Sequence, residues 1–164
     1  MALPNFSKFT PYIRIFQVIY SFVILGLSAY VTDWYNSTTL TASPSQINFL
    51  LFASLWSLLS VACIEVVPKF FPRASNMYIA LGVEVTNVLF WFAGWVGLAV
   101  FLGQLLFCRG TVCHAAQADV VFSSLQCVQW GFTAFILGVD VFKLGFRKPA
   151  QAGPAGPMMK EPLP

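Results

Sequence analysis

Residues 77–103 read MYIALGVEVTNVLFWFAGWVGLAVFLG. Apart from Glu84, Thr86 and Asn87, every position in this stretch is aliphatic, aromatic, methionine or glycine. A helix that crosses a bilayer needs roughly 20 mostly apolar residues. The stretch is long enough to cross with some tilt, so it predicts a transmembrane helix.

Three other blocks have a similar composition, at residues 12–31, 47–67 and 120–142. Over the whole chain 58% of residues are hydrophobic and 9% are charged, whereas soluble domains carry roughly 25% charged residues. The blocks are too long and too uniformly apolar for the alternating strands of a membrane β-barrel. We therefore predict an all-α, integral membrane four-helix bundle in residues 12–146. Residues 1–11 form a short N-terminus, and the Pro-, Gly- and Ala-rich residues 147–164 predict a disordered tail.

The basic residues are distributed unevenly between the two predicted sides of the membrane. Eight of the nine fall on one side: Lys8, Arg14, Lys69, Arg73, Lys143, Arg147, Lys148 and Lys160. The loop between the third and fourth blocks holds the ninth, Arg109. Because Lys and Arg are retained on the cytosolic side, the bias predicts that both termini lie in the cytosol.

The two outer loops of this topology carry two modification signals. Cys108 and Cys113 lie in the second outer loop, in an oxidising compartment where thiols can pair. We expect a structural disulfide between them, with free thiols as the alternative. The sequon that begins at Asn36 lies in the first outer loop, but so close to the membrane that we expect weak glycosylation at most.

Charged side chains inside the predicted spans require an explanation, because each adds about 2.5–3.5 kcal/mol to the free energy of membrane insertion at a helix centre. The charged residues lie toward the predicted cytosolic ends of their helices, and Glu84 lies farthest from its helix end. They are Arg14, Glu65, Glu84 and Asp140. The structural interpretation is a polar layer at the inner leaflet, in which Arg14 and Lys143 pair with the carboxylates. This layer comprises Arg14, Glu65, Glu84, Asn87, Asp140 and Lys143. The functional alternative is a proton or cation site that uses Glu84, and we favour the structural interpretation.

Helical spacing places the polar side chains of the last two blocks on one face of each helix. In the third block this face carries Glu84, Asn87, Trp91, Trp95 and Leu102. In the fourth it carries Asp119, Gln126, Gln129, Trp130, Thr133 and Asp140. Because polar groups avoid lipid, both faces should point into the bundle, where the tryptophans favour a plugged core. Gly94 and Gly97 predict a close helix approach, either within the bundle or between copies.

A basic collar is predicted at the cytosolic membrane surface. It comprises Lys69, Arg73, Lys143, Arg147 and Lys148. Each basic residue contributes about 1 kcal/mol of attraction to an anionic membrane surface. We therefore expect membrane lipids, anionic ones included, as partners. A homo-oligomer or other membrane proteins are further partners, and nucleic acid is not implied.

The sequence contains few residues or motifs that are typical of a catalytic site. The chain has one histidine, His114, whereas a zinc site needs three or four ligands. The sequence contains no Cys-x-x-Cys pair, phosphate-binding glycine loop or nucleophile elbow. We therefore expect no enzyme activity, no catalytic residue, no metal and no cofactor.

Two sequence features carry a family resemblance. The run Cys113-His-Ala-Ala-Gln-Ala118 leads into the fourth block, and Glu84 and Asn87 are followed by an aromatic run. Together with the four-block layout, they resemble the MARVEL-domain proteins over about residues 8–146, and most closely the fungal branch of non-classical export proteins. The resemblance implies a non-catalytic protein that organises membrane microdomains or acts in vesicle trafficking. It also implies the plasma membrane or the secretory-pathway membranes. The alternative is a small transporter or channel subunit that uses Glu84.

Overall fold

The computed structural model describes residues 6–39, 42–70, 77–104 and 110–147. These residues form four α-helices: α1 (Phe6–Thr38), α2 (Ser45–Phe70), α3 (Met77–Gln104) and α4 (Thr111–Arg147). No strand occurs among the described residues. Each helix is long enough and apolar enough to cross a membrane. The predicted all-α membrane fold is therefore confirmed.

The helices extend beyond the apolar blocks of the sequence. Helix α1 begins six residues before the first block and ends seven after it, while α4 begins nine residues before its block. The apolar blocks mark only the part of each helix that hydrocarbon can surround. Helix α1 continues to Thr38 because residues 32–38 contain no Gly or Pro that would interrupt it. Of the tail predicted at residues 147–164, Arg147 is the last residue of α4, and residues 148–164 lie outside the described residues.

The fourth helix begins directly after a glycine in an unusual conformation. Gly110 has a φ of 98°, a left-handed value that glycine adopts without the steric cost of a side chain. The carbonyl of Gly110 accepts a hydrogen bond of 3.2 Å from the backbone N–H of His114. This conformation lets the chain turn into the first helical residue, Thr111.

The helices form an antiparallel bundle in which α1 and α3 each pack against both α2 and α4. Helices α1 and α3 are therefore diagonal to each other. Buried residues follow steps of three and four along every helix. They include Arg14, Gln17, Ser21, Ile24, Ser28 and Val31 on α1; Ile47, Leu50, Ser54, Ser57 and Val61 on α2; Glu84, Asn87, Trp91, Gly94 and Leu98 on α3; and Ala116, Asp119, Ser123, Gln126, Trp130 and Thr133 on α4. The mean step of 3.5 residues is that of a left-handed coiled-coil seam.

The distribution of polarity is the reverse of that in a soluble bundle. Many of the buried positions are polar or charged, whereas large apolar side chains such as Phe22, Leu59 and Phe135 are mostly exposed. In a bilayer the exposed side chains contact lipid tails, and helix association depends on packing and hydrogen bonds between helices. The polar interior is thus where candidate functional side chains lie.

Candidate functional site

Glu84, the charged residue of α3, forms an ion pair inside the bundle. Arg14 Nη2 donates a hydrogen bond to Glu84 Oε1, although the two side chains come from the diagonal helices α1 and α3. Arg14 Nη1 donates to Gln17 Oε1 at 2.9 Å, and Thr133 Oγ1 donates to Glu84 Oε2 at 2.5 Å. We call these four residues the Arg14 cluster. It joins α1, α3 and α4 and neutralises a charge that lipid would reject.

Two further side chains lie beside the guanidinium of Arg14. Glu65 Oε1 on α2 is 3.9 Å from Arg14 Nε, and the Glu65 side chain is 42% exposed. Arg14 Cζ lies 5.2 Å from the ring centroid of Trp130, within the range of a cation–π interaction. Because Trp130 is fully buried, this contact is shielded from solvent, whereas the Glu65 contact is not. All four helices therefore meet at Arg14.

A second cluster joins α2 and α3 and comprises Ser57, Ser60, Asn87 and Trp91; we call it the Asn87 cluster. Ser57 Oγ donates to Asn87 Oδ1 at 2.8 Å, and Asn87 Nδ2 donates to Ser60 Oγ at 2.9 Å. Trp91 Nε1 donates to Ser57 Oγ at 2.8 Å. Asn87 and Trp91 are fully buried, so the cluster satisfies polar groups that have no access to water.

Two polar pairs join α1 and α4 farther from the Arg14 end of the bundle. Gln126 Nε2 donates to Ser21 Oγ at 2.9 Å, and Ser28 Oγ donates to Asp119 Oδ2 at 2.6 Å. The partners are seven residues apart on each helix, so they repeat at the period of the coiled-coil seam. Both polar contacts therefore fit the same antiparallel register of α1 and α4.

The structure separates the residues of the predicted inner-leaflet layer. Arg14 and Glu84 are bonded, and Glu65 lies nearby. Asn87 belongs to its own cluster one turn farther along α3. Asp140 and Lys143 are exposed, and neither takes part in the two ion pairs found among the described residues.

Two serines that sequence reasoning did not single out take part in these contacts. Ser60 accepts a hydrogen bond from Asn87, and Ser28 is the hydrogen-bond partner of Asp119. The available signal for Ser28 was its spacing, since Ser21 and Ser28 follow Arg14 at intervals of seven residues. Serine is common enough in membrane helices that this spacing alone does not identify partners.

Of the two glycines that predict a close helix approach, Gly94 lies at such an approach inside the bundle. A Cβ atom at Gly94 would lie 2.6 Å from Leu50 Cδ2 on α2, closer than such atoms approach in proteins. At Gly97 the nearest atom to such a Cβ would be Gln46 Cγ, at 3.7 Å. Of the predicted core tryptophans, Trp91 and Trp130 are fully buried, whereas Trp95 is partly exposed.

The predicted surface sites are placed as follows. Asn36 is exposed in the last turn of α1, and Lys69 and Lys143 are exposed near the ends of α2 and α4. Arg147 is the last residue of α4, and Cys113 is buried near the start of α4. The other predicted sites, at Arg73, Cys108 and Lys148, lie outside the described residues. The disulfide and the basic collar remain predictions.

No group of three or more His, Cys, Asp or Glu side chains in the described part of the chain is arranged to hold a metal ion. Among known families, the model of the MARVEL membrane-associating domain matches residues 8–136. The chain belongs to the MARVEL family. The MARVEL domain thus includes the first three helices from Lys8 onward, and α4 as far as Ile136. No curated protein and no solved structure matches the chain, and membership of the fungal export branch remains a prediction.

Proposed function

We propose that this MARVEL protein is a non-catalytic, four-pass membrane organiser that shapes microdomains or acts in vesicle trafficking. The observation that carries the proposal is the arrangement around Glu84. Its two carboxylate oxygens accept hydrogen bonds from Arg14 and Thr133, so the charged core holds helices together. A scaffold of this kind presents an apolar outer face to lipids and to other membrane proteins.

The proposal includes an orientation and a location. The eight-to-one bias of basic residues supports cytosolic termini. We place the protein in the plasma membrane or the secretory-pathway membranes, with the fungal export proteins as its relatives. Membrane lipids, other membrane proteins and further copies of the chain are its proposed partners.

The alternative is a small transporter or channel subunit that uses Glu84 as a titrating or cation-binding group. The pairing of Glu84 with Arg14 argues against this role, because the nearby positive charge already compensates the carboxylate. The fully buried Trp91 and Trp130 also fill the interior near this level. A transport path would require these side chains to move.

Reconstitution of the purified chain separates the two functions. In proteoliposomes we expect no proton or cation flux above that of empty vesicles. Glu84→Gln tests the alternative, and Glu65→Gln is the matched control because Glu65 is partly exposed beside the same arginine. Flux by the wild-type protein that Glu84→Gln abolishes and Glu65→Gln retains, with both variants folded, would contradict the organiser.

The organising role is tested in cells that lack the protein. We expect that its removal disperses microdomain markers or delays vesicle delivery, and that re-expression restores the original pattern. A cell line in which neither the distribution of markers nor the delivery of vesicles changes on removal contradicts the proposal.

A further inference from the structure

A shallow, open apolar groove lies on the surface of α4 near its C-terminal end. It is lined by Phe135, Gly138, Val139, Phe142 and Lys143 and has a volume of about 380 Å³. Phe135 and Phe142 are 71% and 68% exposed, and a Cβ at Gly138 would lie 3.9 Å from Leu81 Cδ1 on α3. In a bilayer such a groove is filled by an acyl chain, because no water is available to occupy it.

The position of Lys143 indicates how a lipid would lie in this groove. Lys143 is the last residue of the fourth membrane span, Thr111–Lys143, and it is exposed. A lysine at a helix end extends its ammonium group to the membrane surface while its methylene groups remain against apolar side chains. The groove therefore has an apolar floor in the hydrocarbon and a cation at the level of the lipid headgroups.

The charge of the lining favours one class of lipid. The lining contains one cation and no acidic side chain. A zwitterionic headgroup has no net charge, whereas an anionic headgroup has a net negative charge that Lys143 can attract. The nearest acidic residue on the helix, Asp140, is outside the lining and forms neither of the two ion pairs between described residues.

We propose that this groove, which we call the Lys143 groove, binds an anionic phospholipid with an acyl chain between Phe135 and Phe142 and its headgroup at Lys143. The site deepens the proposed function, since it gives the membrane organiser a preferred lipid class. It differs from a general basic collar, in which any exposed lysine at the same surface would act equally.

The test uses the full chain in nanodiscs that contain phosphatidylcholine and a phosphatidylserine probe with a photoactivatable acyl chain. Cross-linked peptides identified by mass spectrometry should map to residues 135–143. Unlabelled phosphatidylserine should compete, and unlabelled phosphatidylcholine should not. For Lys143→Gln we expect about a fivefold loss of affinity for the probe, which corresponds to about 1 kcal/mol for one basic residue at an anionic surface.

Two matched controls separate the groove from bulk charge and from helix perturbation. Lys69→Gln removes the same charge from the exposed end of α2 and should leave cross-linking to residues 135–143 unchanged. Gly138→Ala should narrow the groove and reduce cross-linking there, with its Cβ in ordinary contact with Leu81 Cδ1 on α3 at 3.9 Å, whereas Gly131→Ala adds the same methyl group on α4 where a Cβ meets nothing within 4 Å. Circular dichroism and size-exclusion chromatography identify variants that fail to fold.

An equal loss for Lys143→Gln and Lys69→Gln would overturn the proposal in favour of a non-specific collar. Equal labelling by a phosphatidylcholine probe, or labelling spread evenly over the lipid-facing helices, would overturn it as well. The assay measures lipid contact in a defined bilayer and not the organisation of cellular membranes. Failure of the Lys143 groove and failure of the organiser are therefore distinguishable.

Discussion

Arg14 on α1 and Glu84 on α3 form a hydrogen-bonded ion pair across the diagonal of the bundle. The helices that carry them are diagonal in the bundle, so the long arginine side chain spans the interior. Arg14 is 7% exposed and Glu84 is fully buried. Glu84 therefore depends on Arg14 for compensation, whereas Arg14 also has the partly exposed Glu65 nearby.

We expect Glu84→Gln to destabilise the protein by about 3–5 kcal/mol, because it leaves the buried Arg14 with only the partly exposed Glu65 as a charged partner. Thermal unfolding in detergent or in nanodiscs measures the loss. Glu65→Gln is the control: its carboxylate lies 3.9 Å from the same arginine but is 42% exposed, so it should cost less than about 1 kcal/mol. Equal losses for both variants would show that burial does not govern this pair.

A side chain at Gly94 should require the Leu50 side chain on α2 to move. For Gly94→Ala we expect a loss of about 1–3 kcal/mol from overpacking, because the new Cβ would meet Leu50 Cδ2 at 2.6 Å and Leu50 is fully buried. Gly82→Ala on the same helix is the control, since a Cβ there meets nothing within 4 Å. Thermal unfolding should place Gly82→Ala at or above the wild type, and an unchanged melting temperature for Gly94→Ala would contradict the close approach.

The hydrogen bond between Ser28 and Asp119 should stabilise the α1–α4 contact. Ser28→Ala is expected to cost about 1–3 kcal/mol, because it removes a donor from a buried carboxylate. Ser124→Ala is a suitable control, since the Ser124 hydroxyl bonds to the carbonyl of Val121 within its own helix; its effect should stay within about 0.5 kcal/mol. The cost of Ser28→Ala should fall in an Asp119→Leu background, where no buried acceptor remains, and an undiminished cost there would argue against the pair.

Both termini should be accessible from the cytosol. Epitope tags at the N- and C-termini are expected to bind antibody only after the plasma membrane is permeabilised, because eight of the nine basic residues lie on that side of the predicted topology. A tag inserted beside Arg109 serves as the opposite control and should be labelled in intact cells once the protein reaches the surface. Surface labelling of either terminal tag would contradict the orientation.

The sequence by itself determined the number of helices and their membrane-spanning character. Four bilayer-length apolar blocks and a low share of charged residues leave few other folds, since a spanning backbone must satisfy its hydrogen bonds internally. It also indicated which faces point inward, because polar residues at helical spacing avoid lipid. Glu84, Asn87 and Trp91 were placed on one inward face in this way and are buried, whereas Asp140, placed inward by the same argument, is exposed.

The tertiary structure alone decided which polar groups meet. Both Arg14 and Lys143 were candidate partners for the carboxylates, but helical spacing gives directions on one helix and not distances between two. In the folded bundle Arg14 bonds to Glu84 while Lys143 is exposed at the end of α4. The same reason explains Ser28 and Asp119, whose contact depends on the antiparallel register of α1 and α4. That register is set by packing between helices distant in sequence, which no local pattern encodes.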